Sequence, residues 1–310
     1  MTNYLDKLTI RLATGLEGIP PDALQQHADF LLSAQRPDGG FAGREGGSDL
    51  YYTGFAVRAL AISGRLHGPP AQHVAKFLTA SLNRPAAVVD LLSLIYAGRL
   101  VEEAAGCDVF GTCQTTWPVE VAGMLESMRR DDGGYARTPE GEKSSTYHTF
   151  LVLLCYQLIG APLPSSQPIN AFIRSQARED GGFVEIAPMR RSGTNPTAAA
   201  IASLRILGTL DQPTCQQTAA FLADMQTDEG GLRANTRIPI ADLLSTFTGL
   251  LTLCDLGHEH QIDAGAVRQF VESLQDPEGG FHGAAWDDGV DVEYTFYGLA
   301  AWSLLHSPGN

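Results

Sequence analysis

The sequence predicts an all-α protein in which six helix pairs close into an α/α6 barrel, with apolar inner helices and amphipathic outer helices. Gly-Gly doublets recur, the last four spaced 48, 49 and 49 residues apart and the first gap being 94, about twice that period; they begin at Gly39, Gly133, Gly181, Gly230 and Gly279. A fixed period near 48 residues suits a repeated helix-turn-helix pair. The gap predicts a sixth unit that has lost its doublet, with its remnant at residues 82–87.

Each predicted unit has the same parts in the same order. An amphipathic stretch ends at the Gly-Gly turn, a sensible helix stop because glycine accepts left-handed backbone angles. An aromatic residue or leucine follows, at Phe41, Tyr135, Phe183, Leu232 and Phe281. A second helix then carries threonine in its first turn, at Thr53, Thr149, Thr197, Thr246 and Thr295. Because the second helices are apolar on nearly every side, they are expected to form the buried inner ring.

Composition limits the classes of protein that the chain can belong to. Hydrophobic residues make up 44% of the 310 residues, which is typical of a globular protein. No apolar run reaches the roughly 18 residues that a membrane span needs. The N-terminal segment lacks the apolar region of a secretory signal, and the five scattered cysteines fit reduced thiols. A cytoplasmic protein without a membrane span is therefore expected.

The formal net charge of −14 argues against nucleic acid as a partner, because binding a phosphate backbone needs a cationic surface. It does not argue against a small anionic ligand. A local group of arginines can bind a diphosphate within an acidic protein.

The recurring Gln-x-x-x-Gly-Gly-Phe motif, as in Gln35–Phe41 and Gln275–Phe281, resembles the repeat of protein prenyltransferase β subunits. It is also similar to the Gln-x-x-x-Gly-x-Trp repeat of squalene and oxidosqualene cyclases. The pattern recurs over about residues 22–308, which implies one barrel domain spanning residues 1–310. The resemblance implies an apolar central cavity that binds an isoprenyl diphosphate or another apolar small molecule. It also makes a helical-repeat α subunit a candidate partner.

The resemblance implies a zinc site in the transferases, formed by an Asp, a Cys two residues later and a His at the start of the last inner helix. Asp242 matches the aspartate, but Leu244 stands at the cysteine position and Tyr294 at the histidine position. The usual zinc ligand set is therefore incomplete. A divalent metal, Mg²⁺ or Zn²⁺, bound by Asp242, Asp291 and Glu293 is the alternative, because carboxylates suit Mg²⁺.

These acids have a second explanation as helix caps, because aspartate accepts backbone N–H bonds at helix N-termini. Asp49 occupies the same position in the first unit. The segment Asp291–Thr295 also resembles the D-x-D-D-T acid motif of class II terpene cyclases, although only D-x-E is retained. Those enzymes protonate an alkene or epoxide with a buried carboxylic acid, whose pKa is raised by burial. The candidate catalytic residues are Asp291, Glu293 and Tyr294.

Four arginines are the candidate diphosphate ligands: Arg190, Arg191, Arg233 and Arg237. The last two precede Asp242, where the family places its basic residues, and a guanidinium can bind phosphate oxygens in pairs. The alternative is that they are exposed charges on irregular loops.

Aromatic residues at the starts of inner helices are the candidate cavity lining: Tyr51, Tyr52, Tyr147 and His148. Aromatic walls suit an isoprenoid chain, or a carbocation through cation–π contact. The alternatives are plain core packing for the tyrosines and a hydrogen-bonded structural role for His148.

Three functions follow, in this order. The first is transfer of a prenyl group from an isoprenyl diphosphate to an acceptor, with a degenerate zinc site. The second is a non-catalytic barrel that binds an isoprenoid or lipid. The third is a class II terpene cyclase-like enzyme; it ranks last because such enzymes usually carry a second barrel domain.

Overall fold

The computed structural model describes residues 3–82 and 87–306, which fold almost entirely into helices. The predicted remnant at residues 82–87 falls mainly on 83–86, which lie outside the described residues. The helices are α1 (Tyr4–Leu16), α2 (Pro21–Ser33), α3 (Leu50–Ile62), α4 (Gly68–Ala80), α5 (Val88–Ala105), α6 (Trp117–Ser127), α7 (Thr146–Ile159), α8 (Ser166–Ser175), α9 (Thr194–Ile206), α10 (Gln212–Ala223), α11 (Leu243–Leu256), α12 (Ala264–Ser273) and α13 (Val292–His306). A short antiparallel ribbon joins β1 (Phe281–His282) and β2 (Val290–Asp291).

After α1, the described helices form six consecutive pairs, from α2 with α3 to α12 with α13. This order confirms the predicted all-α repeat. The described residues divide into two compact units, one within Met1–Thr115 and Val271–Asn310 and the other within Thr116–Phe270. In the first, α3 packs against α1, α5 and α13; in the second, α9 packs against α7 and α11. The single domain over residues 1–310 stays a prediction.

The second helix of each pair is the buried one, as the apolar pattern predicted. In α13 every residue from Thr295 to Leu305 is buried, and α3, α7 and α11 are buried along most of their length. The first helices bury one face only; α8, for example, buries Ile169, Phe172 and Ile173. The hydrophobic effect therefore fixes the second helices inside each unit.

Each Gly-Gly turn packs directly against an outer helix: the next one along the chain for the first four doublets, and α2 for Gly279. At Gly39 the backbone has φ +91°, and a Cβ there would collide with the carbonyl oxygen of His73. The side chain of Gln35 donates to the carbonyls of Gly39 and Pro70, both at 3.0 Å, and so ties the turn to the start of α4. Gln226 makes the same bridge, to the carbonyls of Gly230 and Asp263. The first glycine of each doublet recurs because the left-handed backbone is needed at every turn.

The recurring threonine has a single structural role. In five units its Oγ1 accepts a hydrogen bond from the backbone N–H of the residue that follows the Gly-Gly doublet, over distances of 2.8–3.3 Å. That N–H belongs to a fully buried residue in the case of Tyr135. The threonine thus provides the buried turn with a partner that no helix supplies.

Replacing Thr149 by valine is expected to lower the free energy of unfolding by about 1–3 kcal/mol, because it leaves the Tyr135 N–H buried without a partner. The same change also removes the bond from Thr149 Oγ1 to the Ser145 carbonyl, 2.7 Å long. Denaturant unfolding measures the loss. Thr79 is exposed on α4, so Thr79→Val is the matched control and should change stability by less than about 0.5 kcal/mol. Equal effects at both positions would contradict this role for the threonine.

Candidate functional site

The acids that begin the inner helices cap those helices. Asp291, Asp242 and Asp49 each accept a hydrogen bond from the backbone N–H three residues later, at 2.9, 2.7 and 2.8 Å. Each cap supplies an acceptor to an N–H that the helix leaves unpaired. Each of these three aspartates therefore acts as an N-cap through one carboxylate oxygen, which confirms the capping explanation.

The second oxygen of Asp291 binds Arg44, a residue that sequence reasoning missed. The Nε of Arg44 lies 3.0 Å from Asp291 Oδ2, and its two terminal nitrogens each lie 2.6 Å from an oxygen of Asp287. The guanidinium lowers the pKa of the Asp287 carboxyl. It joins the loop after β1 to the loop before α3. Both oxygens of Asp291 are thus engaged in structural contacts.

Glu293 is placed differently, because its side chain lies among aromatic residues rather than at the helix cap. Its Oε1 accepts hydrogen bonds from the Tyr51 hydroxyl at 2.7 Å and from the Tyr297 hydroxyl at 3.3 Å. Burial raises the pKa of the Glu293 carboxyl, and the charge of Asp291 adds to this rise, while the Tyr51 hydrogen bond opposes it. Of the predicted catalytic acids, Glu293 has the environment that favours the protonated form.

Further aromatic rings pack against the two tyrosines that bind this carboxyl group. The Phe55 ring lies 4.9 Å from that of Tyr51, 5.2 Å from that of Tyr297 and 5.7 Å from that of Phe296. The guanidinium carbon of Arg58 lies 4.1 Å from the Phe55 centroid and 4.7 Å from the Phe296 centroid. The ring faces therefore already stabilise one cation, which shows that this wall can accommodate positive charge. These five residues and Glu293 are called the acid-aromatic cluster below.

Tyr52 and Tyr294 flank the cluster. The Tyr52 ring meets the edge of Tyr51 at 5.2 Å, and burial raises the pKa of its hydroxyl, as do the charges of nearby carboxylates. The Tyr294 ring lies 5.7 Å from the Arg44 guanidinium carbon. Among the predicted lining residues, Tyr51 contacts Glu293 directly and Tyr52 borders it. A catalytic role for Tyr294 stays a prediction.

Sequence reasoning missed Phe55, Arg58, Phe296 and Tyr297, although a helical pattern could have identified two of them. Phe55 follows Tyr51 by four residues on α3, and Tyr297 follows Glu293 by four residues on α13. Residues four apart lie on the same face of a helix. A search from each candidate acid along its own helix face would have found Tyr297 and its hydrogen bond.

The remaining predicted residues lie in the second compact unit, within Thr116–Phe270. The half-buried His148 forms a hydrogen bond between Nδ1 and Ser145 Oγ at 2.8 Å, and its pKa is lowered by burial and then by the charge of Arg137. Ser145 is the N-cap of α7, so this contact fits the structural alternative for His148. Tyr147 is 39% exposed. Burial raises the pKa of Asp242, although hydrogen bonds from Ser245 oppose the rise.

The predicted diphosphate ligands lie on two neighbouring loops of the second unit. Arg190, Arg191 and Arg237 are exposed, whereas Arg233 is partly buried. Within the described part of the chain, none of the four forms an ion pair with a carboxylate. The Nε of Arg233 is buried and has no hydrogen-bond partner among the described residues. Their role as diphosphate ligands stays a prediction.

The residues at the zinc positions do not fit a zinc ion. Leu244 has no donor atom, and Tyr294 replaces the imidazole that the resemblance implies. Across residues 3–82 and 87–306, no group of three or more His, Cys, Asp or Glu side chains is arranged to hold a metal ion. The predicted metal ligands Asp242, Asp291 and Glu293 therefore stay a prediction without structural support.

No helix of the described segments combines the length and the apolar character needed to cross a bilayer. The expected cytoplasmic location and the expected α subunit stay predictions.

Comparisons with known proteins confirm the predicted resemblance. A family model described as the prenyltransferase alpha-alpha toroid domain matches residues 9–96 and 199–309, which is more than half of the chain. The predicted α/α barrel class is thereby confirmed. A search of curated proteins finds no relative.

Solved structures with the same fold include a transferase, a terpene cyclase and a diphosphate synthase. Protein geranylgeranyltransferase-I from Candida albicans, complexed with GGPP, is 15% identical with TM-score 0.72, covering 91% of this chain and 90% of that chain. The type II terpene cyclase MstE from Scytonema, complexed with geranylgeranyl dihydroxybenzoate, is 14% identical with TM-score 0.64, covering 97% and 98%. The ent-copalyl diphosphate synthase from Streptomyces platensis is 14% identical with TM-score 0.53, covering 84% of this chain and 50% of that chain. At these identities the likeness shows the fold alone.

Proposed function

The chain belongs to the prenyltransferase alpha-alpha toroid family, and on that premise we propose that it is an isoprenoid-processing enzyme whose reaction begins with proton donation from Glu293. The single observation that carries this proposal is the position of the Glu293 carboxyl group. It lies within hydrogen-bond reach of the Tyr51 hydroxyl and in an aromatic cluster, with a raised pKa. Acid-initiated cyclisation therefore ranks ahead of prenyl transfer.

The proposed step uses the protonated form of Glu293. The π electrons of a substrate alkene form a C–H bond with the carboxyl proton, and a carbocation remains on the neighbouring carbon. Attack by a second alkene of the same chain closes a ring, and loss of a proton to solvent ends the reaction. The product is an isomer of the substrate, and solvent returns a proton to Glu293.

The residues around Glu293 have separate roles in this step. The hydroxyls of Tyr51 and Tyr297 donate to the carboxylate that proton transfer leaves behind, so they stabilise it. Arg58 already lies over the Phe55 and Phe296 rings. The rings of Tyr51 and Tyr297, whose hydroxyls bind Glu293, are therefore the proposed source of cation–π stabilisation for a nearby carbocation. The aromatic wall also excludes water that would quench the cation.

The proposed substrate is an isoprenoid chain with at least two alkenes, bearing a diphosphate or another anionic head group. This proposal is supported by the family match and by the isoprenoid compounds bound in two of the similar structures. These are GGPP in the Candida albicans transferase and geranylgeranyl dihydroxybenzoate in MstE.

Transfer of the prenyl group to an acceptor is the second candidate function, and the unpartnered Arg233 nitrogen is the observation that favours it. In that reaction the diphosphate leaves the isoprenoid as the new bond to the acceptor forms. Because the residues do not fit zinc, the acceptor thiol would lack the activation on which the zinc-dependent transferases depend. This candidate therefore ranks second.

Incubation in D₂O distinguishes the candidates. Purified protein is mixed with geranylgeranyl diphosphate or with geranylgeranyl dihydroxybenzoate, with and without a chelator, and the products are analysed by mass spectrometry. Acid-initiated cyclisation is expected to give an isomer that carries one solvent deuterium and releases no diphosphate. In a parallel incubation with an added thiol acceptor, release of diphosphate together with a prenylated acceptor that carries no deuterium would instead indicate prenyl transfer. Tight binding with no turnover would indicate the non-catalytic barrel.

A further inference from the structure

Two loops of the second compact unit form one continuous surface. One loop covers residues 184–193 and precedes α9; the other covers 233–242 and precedes α11. Thr194 joins them, since its backbone N–H donates to the Ala234 carbonyl at 2.9 Å and its hydroxyl donates to the Arg233 carbonyl at 2.6 Å. Arg191 Nη1 also reaches the Thr236 hydroxyl at 3.4 Å. The two loops are called the paired loops below.

The paired loops expose aliphatic side chains to an unusual degree. Met189 is 45% exposed, Ile238 is 38% exposed and Ile240 is 36% exposed. They are three of the seven large hydrophobic side chains that are exposed within the described residues. Single exposed hydrophobic residues are ordinary, but several on adjoining loops indicate an interaction site.

The same loops carry a positive charge on an acidic protein. Residues 184–193 and 233–242 contain four arginines and two acids, Glu185 and Asp242, neither of which is exposed. The exposed Glu229 also contacts the second loop, by accepting a hydrogen bond from the Ala241 N–H at 2.7 Å. The whole chain, by contrast, has a formal net charge of −14. Arg190, Arg191 and Arg237 are exposed, and none of them forms an ion pair among the described residues. A local field of this sign attracts an anionic surface in spite of the overall charge.

We propose that the paired loops bind the surface of a lipid bilayer that contains anionic lipids. Exposed guanidinium groups interleaved with single aliphatic side chains suit a bilayer, because the cations contact the headgroups while the aliphatic side chains enter the acyl boundary. A protein partner would be expected to meet a flatter apolar patch with aromatic residues at its centre, and the exposed apolar side chains here are aliphatic. The binding is peripheral and reversible. This inference does not depend on the chemistry proposed for Glu293.

Vesicle flotation tests the proposal directly. The full chain is mixed with phosphatidylcholine vesicles, or with vesicles that also contain phosphatidylglycerol, and the floating fraction is measured at low and high salt. The chain is expected to float with the anionic vesicles and to lose this binding at high salt. Absence of flotation with anionic vesicles would overturn the proposal. It would do so even if the loops bound an acidic protein in a separate experiment.

Two sets of variants separate the contributions of charge and aliphatic side chains. The triple change of Arg190, Arg191 and Arg237 to glutamine is expected to weaken vesicle binding by roughly 100-fold, about fivefold for each arginine. The changes Met189→Ser, Ile238→Ser and Ile240→Ser should also weaken it. Trp286 is 69% exposed outside the paired loops, so Trp286→Ser is the control and should bind as the unchanged chain does.

Competition with inorganic diphosphate is the last part of the vesicle-binding test. If the arginines are a small-anion site, millimolar inorganic diphosphate will abolish vesicle binding, and the three serine variants will bind like the unchanged chain. That result would overturn the bilayer assignment. Binding that survives diphosphate but is lost in both sets of variants would support it.

Discussion

Replacing Glu293 by glutamine is expected to lower turnover of an isoprenoid substrate by about 10³-fold and to leave substrate affinity nearly unchanged. Glutamine keeps the size of the side chain and an oxygen that can accept from the Tyr51 and Tyr297 hydroxyls. It cannot donate an acidic proton. Only the first chemical step should therefore fail. Product formation under single-turnover conditions, together with substrate binding by titration, measures the two effects separately.

Two further variants show whether the effect belongs to Glu293. Glu278 is an exposed glutamate in the same unit, so Glu278→Gln should leave turnover unchanged. Asp291→Asn removes a charge from the Arg44 contact and is expected to lower stability more than turnover. If Asp291→Asn abolishes turnover while Glu293→Gln retains it, then Asp291 is the acid and the assignment is wrong.

The pH dependence follows from the direction of the pKa shift. Burial raises the folded-state pKa of Glu293 above the ordinary value of 4.5, and proton donation needs the protonated form. Turnover should therefore persist above pH 4.5 and fall as the pH rises through the raised pKa. Stability should fall over the same interval, because the folded state disfavours the charged carboxyl. The stability of the Glu293→Gln variant should not fall in this way as the pH rises. Denaturant unfolding at several pH values measures the difference.

Much of the fold could be predicted because its signals are periodic. The Gly-Gly doublets, the following aromatic residues and the recurring threonines each mark a fixed contact, and the contact repeats with the sequence. Thr246 illustrates this, since its hydroxyl accepts from the Leu232 N–H in the fifth unit as Thr53 does from Phe41 in the first. The spacing of the motifs is thus a direct consequence of backbone hydrogen bonding.

The site was predicted less completely because its contacts join distant parts of the chain. Glu293 could be selected from a local motif, but its partner Tyr51 lies 242 residues away. Arg44 stands in a loop with no pattern of its own, and its role depends on Asp287 and Asp291. Local patterns show which groups can act as caps or acids. They do not show which of two neighbouring acids is paired with a distant arginine.

Replacing Phe281 by alanine is expected to lower the free energy of unfolding by about 3–5 kcal/mol, the largest stability effect expected for one side chain here. Phe281 is fully buried, its ring stacks on His27 at 4.6 Å, and it packs against Gly298, where a Cβ would collide with the ring. The cavity left by the ring cannot be filled by α13, whose backbone is fixed by its own hydrogen bonds. Denaturant unfolding measures the loss.

The control is Trp286→Ala in the same connection, where the larger side chain is 69% exposed. It should change stability by less than about 0.5 kcal/mol, so side-chain size alone would not explain a difference. Comparable losses for the two variants would contradict the packing argument. The Phe281→Ala change should also disturb the acid-aromatic cluster. Phe281 pairs with Asp291 across the short ribbon, and Asp291 lies two residues before Glu293.

The repeat itself supplies an intermediate variant. In the fifth unit Leu232 occupies the position of Phe281, and it packs against Gly249 as Phe281 packs against Gly298. Phe281→Leu should therefore cost roughly 1–2 kcal/mol, less than the alanine variant, because leucine fills much of the cavity in a geometry that this chain already uses. A leucine variant as unstable as the alanine variant would mean that the stacking on His27, rather than volume, holds this turn in place.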